Sequence, residues 1–228
     1  MSESRTYVFE PGARPSLPVR GSHSLFPVRR IFCVGRNYAS HAIEMGGNPE
    51  REPPFFFTKP ADAVVESGSR IPYPPATGNL HHEGELVVAI GKSGAMVSEE
   101  DAQNLIWGHA AGNDLTRRDL QTEAKAARRP WDMAKAFDKS AVIGAVRPGP
   151  MPEAVLRCSV NGATRQQAKL SDMIWSPAAI IAALSRMVSL SPGDLIFTGT
   201  PAGVGPLARG DTCKVEIEGL QTASVTIA

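Results

Sequence analysis

A chain of 228 residues, 42% hydrophobic and 21% charged, carries enough apolar side chain to fill one domain core. Its 24 Lys+Arg against 23 Asp+Glu leave a net charge of +1, which argues against a nucleic-acid binder with a basic stripe. The longest unbroken apolar run, 178–184, is far too short to span a bilayer, and residues 1–10 hold no apolar secretory core. A cytoplasmic protein with no membrane or nucleic-acid partner is therefore expected, its Cys33, Cys158 and Cys213 reduced and mostly buried.

Taken in order, residues 1–25 read as an extended arm punctuated by Pro11, Pro15 and Pro18, with one domain over 26–228. Arg30 to Val34 is a short β-like run, followed by a helix-like segment from Ala39 to Met45 and a Pro/Gly loop or lid over 46–54. Phe55 to Thr58 resumes β character. Leu86 to Ile90 is a buried strand whose polar lead-in is His81-His82-Glu83-Gly84-Glu85. Leu105 to Asn113 is a further strand, and Thr116 to Arg128 a helix capped by Asp114 or Thr116. Asn161-Gly162 suits the positive φ of a type I′ turn and predicts a hairpin from Val155 to Gln167. Ser176-Pro177 opens a helix to about Val188, and strands over 195–198, 213–217 and 223–227 finish the chain. The pattern is α+β and rich in strands.

Glu83 and Glu85, two apart on a strand, project to one face, and Asp114 ends the apolar run from Ile106 to Ala111. Three carboxylates at the ends of core strands suit a hard cation, Mg²⁺ or Mn²⁺. Spacing alone leaves this even with solvated or ion-paired glutamates. His41 and Glu44, three apart on one helix face, have the form of a water-activating pair, although an ordinary exposed pair is commoner. Lys135 has apolar neighbours that could hold its ammonium in a partly desolvated pocket, or it is simply a surface lysine. Gly199 to Gly205 is no phosphate loop, because no Lys-Ser/Thr follows and the next element is a strand. A tight turn able to hold a carboxylate, or a plain turn, fits better.

Six segments, in this order, resemble the fumarylacetoacetate hydrolase family: VGRNYASHAIEM (Val34–Met45), PPFFFTKP (Pro53–Pro60), HHEGELVVAIGK (His81–Lys92), GNDLTRRDLQ (Gly112–Gln121), RPWDMAKAFDKSAVIG (Arg129–Gly144) and SPGDLIFTGTPAGVGP (Ser191–Pro206). The resemblance implies a mixed β-roll, usually a homodimer, with Mg²⁺ or Mn²⁺ held by Glu83, Glu85 and Asp114. It implies His41 and Glu44 as the water-activating dyad and Lys135 beside the metal-bound oxygen. Arg118, Gln121 and Thr200 are implied near the keto-acid end of a small diketo acid. The stretch 48–65 looks most like the members that hydrolyse fumarylpyruvate to fumarate and pyruvate at the end of gentisate-type aromatic degradation. For the far carboxylate of that substrate Arg36, Lys59 and Arg117 are candidates, Arg36 and Lys59 preferred because they flank the loop. Acetylpyruvate hydrolysis, oxaloacetate decarboxylation and isomerisation or decarboxylation of dienoic diacids are sibling readings. A non-catalytic metal-binding module is the rival of another class. The chain departs from the commoner family pattern at Gly84 and Asn113, where larger or apolar residues are usual.

Overall fold

The computed structural model describes residues 6–40, 53–151 and 153–228. A mixed eight-stranded sheet forms the centre. Across it run Phe55–Lys59, Arg30–Gly35, Asp194–Phe197, Gly84–Ile90, Ile106–Asp114, Ala141–Ile143 and Val64–Glu66, with Arg147–Pro148 also paired to Ile106–Asp114. Two pairings are parallel, Asp194–Phe197 with Arg30–Gly35 and Ala141–Ile143 with Val64–Glu66, and the rest are antiparallel. A second, five-stranded sheet holds Ala163–Lys169, Val155–Val160, Thr212–Ile217, Ala223–Ile227 and Ser69–Ile71. The expected α+β roll is what the chain forms, with few and short helices.

Strand periodicity splits the core into two parts. Along Gly84–Ile90, Leu86, Val88 and Ile90 face the second sheet and the helix Pro177–Ser185, whereas Val87 and Ala89 face the opposite way toward Ile31, Leu195 and Phe197. Glu85 shares the parity of Val87 and Ala89, and Asp114 shares that of Ala110 on the neighbouring strand. The two carboxylates therefore end the same face of the sheet. The register aligns Gly84 with Asn113 and Glu85 with Gly112, and the Asp114 N–H donates to the Glu83 carbonyl at 2.8 Å, which continues the pairing by one residue.

Several local expectations shift. The N-terminal arm is anchored earlier than residue 26: Ser16–Pro18 pairs with Leu25–Pro27, and Leu17 is fully buried. The helix after Asp114 runs Arg118–Ala126, because Thr116–Arg117 is taken up as a strand against Leu80–His82. Its cap position is Arg117, which makes no side-chain cap, so neither Asp114 nor Thr116 caps it. Asp114 is instead committed to two lysines, described below. The hairpin turn does carry positive φ at Asn161 (52°) and Gly162 (82°), and Ser176 caps the later helix by accepting from the Ala179 N–H at 3.1 Å. That helix ends at Ser185, short of Val188.

Candidate active site

Glu83 sits in the break between the strands Leu80–His82 and Gly84–Ile90, and its backbone N–H, which lacks a ladder partner there, donates to Asn113 Oδ1 at 2.9 Å. This gives Asn113 a structural purpose: its amide also donates to Cys213 Sγ at 3.3 Å, tying the break to the second sheet. Gly84 is equally constrained, since a Cβ there would lie 3.1 Å from Cys158 Cβ and 3.3 Å from Val215. Both residues are thus fitted to the contact between the two sheets.

The result is a cluster in which one carboxylate oxygen from each of Glu83, Glu85 and Asp114 lies within 4.8 Å of the other two, all three side chains buried. Uncompensated, three such charges would be prohibitive. Lys135 Nζ bridges Glu83 Oε2 (2.7 Å) and Asp114 Oδ2 (2.8 Å). Lys59 Nζ lies 2.7 Å from Asp114 Oδ1, and Arg118 pairs with Glu83 Oε1. Glu85 accepts the Gly199 N–H at 2.6 Å. Burial, reinforced by Asp114 and Glu83, pushes the Glu85 carboxyl well above the usual range. Burial works against the Lys135 ammonium, but Asp114 and Glu83 outweigh it and the net direction is upward.

Two observations fit these residues to a divalent cation. Asp114 Oδ1 is buried and accepts no hydrogen bond, its contact with Lys59 being ionic without hydrogen-bond alignment. The donor set is all oxygen, which suits a hard cation of the Mg²⁺ or Mn²⁺ kind.

The cluster forms the floor of a cleft lined by Arg36, Phe55, Phe57, Arg118, Gln121, Lys125, Trp131, Lys135 and Thr200 as well as Glu83 and Glu85. Arg118, Gln121 and Lys125 fall at i, i+3 and i+7 of one helix and so share its inner face. Arg118 is held rigidly: it donates to Gln121 Oε1 at 2.5 Å and to His81 Nδ1 at 3.3 Å, besides its pair with Glu83. His81 is pushed down to about 4 by burial and by Arg118, which keeps the ring neutral and able to accept that bond.

Thr200 donates to the Gly84 carbonyl at 2.9 Å and accepts from Gln166 Nε2 at 2.8 Å. Gln166, buried on the hairpin, also donates to the Pro201 carbonyl (2.7 Å), while its own carbonyl accepts the Gly84 N–H at 3.0 Å. It therefore fastens the acidic strand to the Gly199 turn, a role no local pattern announces. The turn does hold a carboxylate, and that carboxylate is Glu85's.

Of the residues singled out from the sequence, Glu83, Glu85, Arg36, Arg118, Gln121, Lys135 and Thr200 line the cleft, and Asp114 joins beneath them. Lys59 does not line it. It shares the strand face of Phe55 and Phe57 but lies at the far end of Phe55–Lys59, beneath the cluster, where its fully buried ammonium faces Asp114 and the Leu115 and Lys135 carbonyls. Arg117 stacks on Phe137 at 4.4 Å and donates to the Met133 carbonyl, also away from the cleft. His41 and Glu44, with the loop expected over 46–54 as far as residue 52, lie outside the described residues. Lys125 and Trp131 are cleft residues that the sequence reading passed over.

Residues 30–228 match the family model for the fumarylacetoacetate (FAA) hydrolase C-terminal region. The fumarylpyruvate hydrolase of Ralstonia sp is 45% identical over 179 residues, covering 77% of this chain and 93% of the relative. The oxaloacetate tautomerase of Escherichia coli (strain K12) is 40% identical over 199 residues, 85% and 90% of the two chains. Among solved structures, the fumarylpyruvate hydrolase of Pseudomonas aeruginosa in complex with Mn²⁺ and pyruvate superposes with a TM-score of 0.95 at 49% identity, covering 98% of this chain and 99% of that one. The chain belongs to the fumarylacetoacetate hydrolase family.

Proposed function

We propose that this chain is a divalent-metal-dependent acylpyruvate hydrolase whose substrate is fumarylpyruvate, cleaved with water to fumarate and pyruvate. The observation that carries the reading is the buried Glu83–Glu85–Asp114 cluster at the floor of a cleft ringed by Lys135, Arg118 and Gln121. A fold match at 49% identity to a fumarylpyruvate hydrolase holding Mn²⁺ and pyruvate supports it. Glu83, Glu85 and Asp114 would hold Mn²⁺ or Mg²⁺, which supplies a Lewis acid that draws charge from the α-keto acid end.

The protein's own residues divide the remaining work. Arg118 and Gln121, locked together at 2.5 Å, orient the keto-acid carboxylate. Lys135, poised between Glu83 and Asp114, offsets negative charge that develops on the pyruvyl fragment as the C–C bond breaks. His41, oriented by Glu44, takes a proton from the water that attacks the distal carbonyl. The electron pair of the broken bond goes to the pyruvyl carbon, which is then protonated. Lys59 serves here as the support of Asp114 and not as a substrate cation. The same reading includes a cytoplasmic homodimer acting late in gentisate-type aromatic degradation, supported by the family resemblance. Among the described residues no helix is long and apolar enough to cross a membrane, and the three cysteines are free and buried.

The test is metal-stripped protein assayed on fumarylpyruvate with and without added Mn²⁺ or Mg²⁺, following loss of the diketo absorbance and release of pyruvate. Metal-dependent pyruvate and fumarate are expected. His41→Ala should lose hydrolysis by about 10²-fold or more while Mn²⁺ affinity by calorimetry stays near wild type. Turnover of oxaloacetate but of no acylpyruvate would overturn the hydrolase reading in favour of an enzyme acting on oxaloacetate, a reading that the 40% identity to an oxaloacetate tautomerase supports.

A further inference from the structure

The three carboxylates of the site are equalled in number by three cations, Lys59, Lys135 and Arg118, each within ion-pair distance of Glu83, Asp114 or both. Lys125 is a cleft cation over and above that balance. It lies one turn beyond Gln121 on the inner face of Arg118–Ala126, half-buried, and makes no ion pair among the described residues. Its Nζ sits 5.5 Å from the centre of the Trp131 ring.

We propose that Lys125 is a specificity-determining residue that binds the second carboxylate of a dianionic acylpyruvate, from a position two helical turns beyond Arg118 on the cleft-lining face of Arg118–Ala126. The proposal rests on the acylpyruvate reading and deepens it, by fixing the substrate class as one whose acyl group itself ends in a carboxylate.

The shape of the cleft supports this. Phe55, Phe57 and Trp131 form a continuous aromatic wall, with Trp131 edge-on to Phe55 (centroids 5.4 Å apart) and 5.9 Å from Phe57. Lys135 Nζ lies 5.0 Å from the Phe57 ring and Lys125 Nζ 5.5 Å from the Trp131 ring, so the two ammoniums stand against different rings of the wall. A flat conjugated chain with an anion at each end fits such a wall, whereas a short monocarboxylate would leave Lys125 unused. Gly35 keeps the wall in place, because a Cβ there would collide with the Phe55 ring. Burial, then Arg36 and Arg118, disfavour the Lys125 ammonium, so an anion arriving beside it relieves a cation that the cleft itself does not neutralise. Arg36, 5.7 Å from the Phe55 ring, adds to the positive potential on that side.

The experiment compares kcat/KM for fumarylpyruvate with that for acetylpyruvate, which lacks the second carboxylate, in wild type, Lys125→Met and Lys125→Arg. The Met variant should lower the fumarylpyruvate-to-acetylpyruvate ratio about 10–100-fold, the range of a charge-assisted contact, mainly through KM. The Arg variant should recover most of the ratio. An unchanged ratio in Lys125→Met, with wild type turning over fumarylpyruvate, overturns the assignment and leaves the hydrolase reading intact. An equal fall for both substrates, or an Arg variant no better than Met, also overturns it by showing a structural role. If wild type cleaves neither substrate, the acylpyruvate reading falls and this assignment with it.

Discussion

Glu85→Gln should stabilise the metal-free protein while abolishing its metal response, two effects of opposite sign from one atom change. An oxygen of Glu85 lies within 4.8 Å of one from Glu83 and one from Asp114. Two unit charges at that separation repel by about 3.5 kcal/mol at an effective dielectric near 20. Burial adds to both repulsions. Protonation limits the total: at pH 7 the cost relative to an unperturbed Glu cannot exceed about 3.7 kcal/mol, because beyond that point the carboxyl takes up a proton. Lys135 offsets part of the repulsion, and the Gln carbonyl can still accept the Gly199 N–H. A net gain of about 2 kcal/mol follows, or about 4–8 °C in Tm for a chain of this size.

The pH dependence has a definite sign. The raised pKa means that the folded protein holds this proton more tightly than the unfolded chain does. The metal-free wild type is therefore favoured by this group at low pH and loses that advantage as pH rises from about 4.3 through the folded value. Glu85→Gln removes that slope. Saturating Mn²⁺, at about 100 times its Kd, should raise wild-type stability by about 2.7 kcal/mol and the variant by far less. Thermal unfolding in chelator and in Mn²⁺, between about pH 5.5 and pH 8, reads all of this. A lower metal-free Tm for the variant, or an undiminished Mn²⁺ shift, would refute the electrostatic account of the cluster.

Lys59→Met should destabilise by about 3–5 kcal/mol, because it leaves the buried Asp114 with only Lys135 for a partner; urea unfolding measures it, and added Mn²⁺ should restore part of the loss. Its selectivity between fumarylpyruvate and acetylpyruvate should match wild type, unlike that of the Lys125 variants. Gln166→Leu removes acceptors and donors serving Gly84, Thr200 and Pro201; about 2–4 kcal/mol of stability and at least about 10-fold in kcat should go together, checked by unfolding and steady-state kinetics. Gly84→Ala presses a methyl to 3.1 Å from Cys158 Cβ and 3.3 Å from both Val215 methyls and should cost about 1–3 kcal/mol, with Val215→Ala in the same chain recovering part of it in a double-mutant cycle.

How much of the site could be read from the sequence depended on the range of the interaction. Glu83, Glu85 and Asp114 were legible because strand period and the ends of apolar runs are local signals. Even so, residue spacing could not separate a metal cluster from solvated glutamates, since their convergence rests on the pairing of Gly84–Ile90 with Ile106–Asp114. Lys59 belongs beneath the cluster because its ammonium meets Asp114, a partner 55 residues further along the chain that a lone cation beside a loop does not announce. Lys125 is readable in principle as the i+7 partner of Arg118, but only once Arg118 is known to face the cleft, which the long-range pair with Glu83 decides. Gln166 had no local signal, its contacts spanning 82 residues to Gly84 and 34 to Thr200.

The charge arrangement also bears on the order in which the site fills. Three carboxylates and three paired cations sum to zero before anything binds. Such a site is a weaker trap for a divalent cation than the bare cluster, because Lys135 and Arg118 already occupy carboxylate oxygens that a cation would seek. A cation bound alone leaves the site at a formal +2, with Lys125 making the cleft more positive still. A dianionic diketo acid returns the formal sum of cluster, metal and substrate to zero. Each ligand therefore improves the electrostatic environment of the other, and by linkage the coupling is mutual. The lysines and arginine that weaken the metal site in isolation are, on this argument, what makes its occupancy depend on the dianionic substrate.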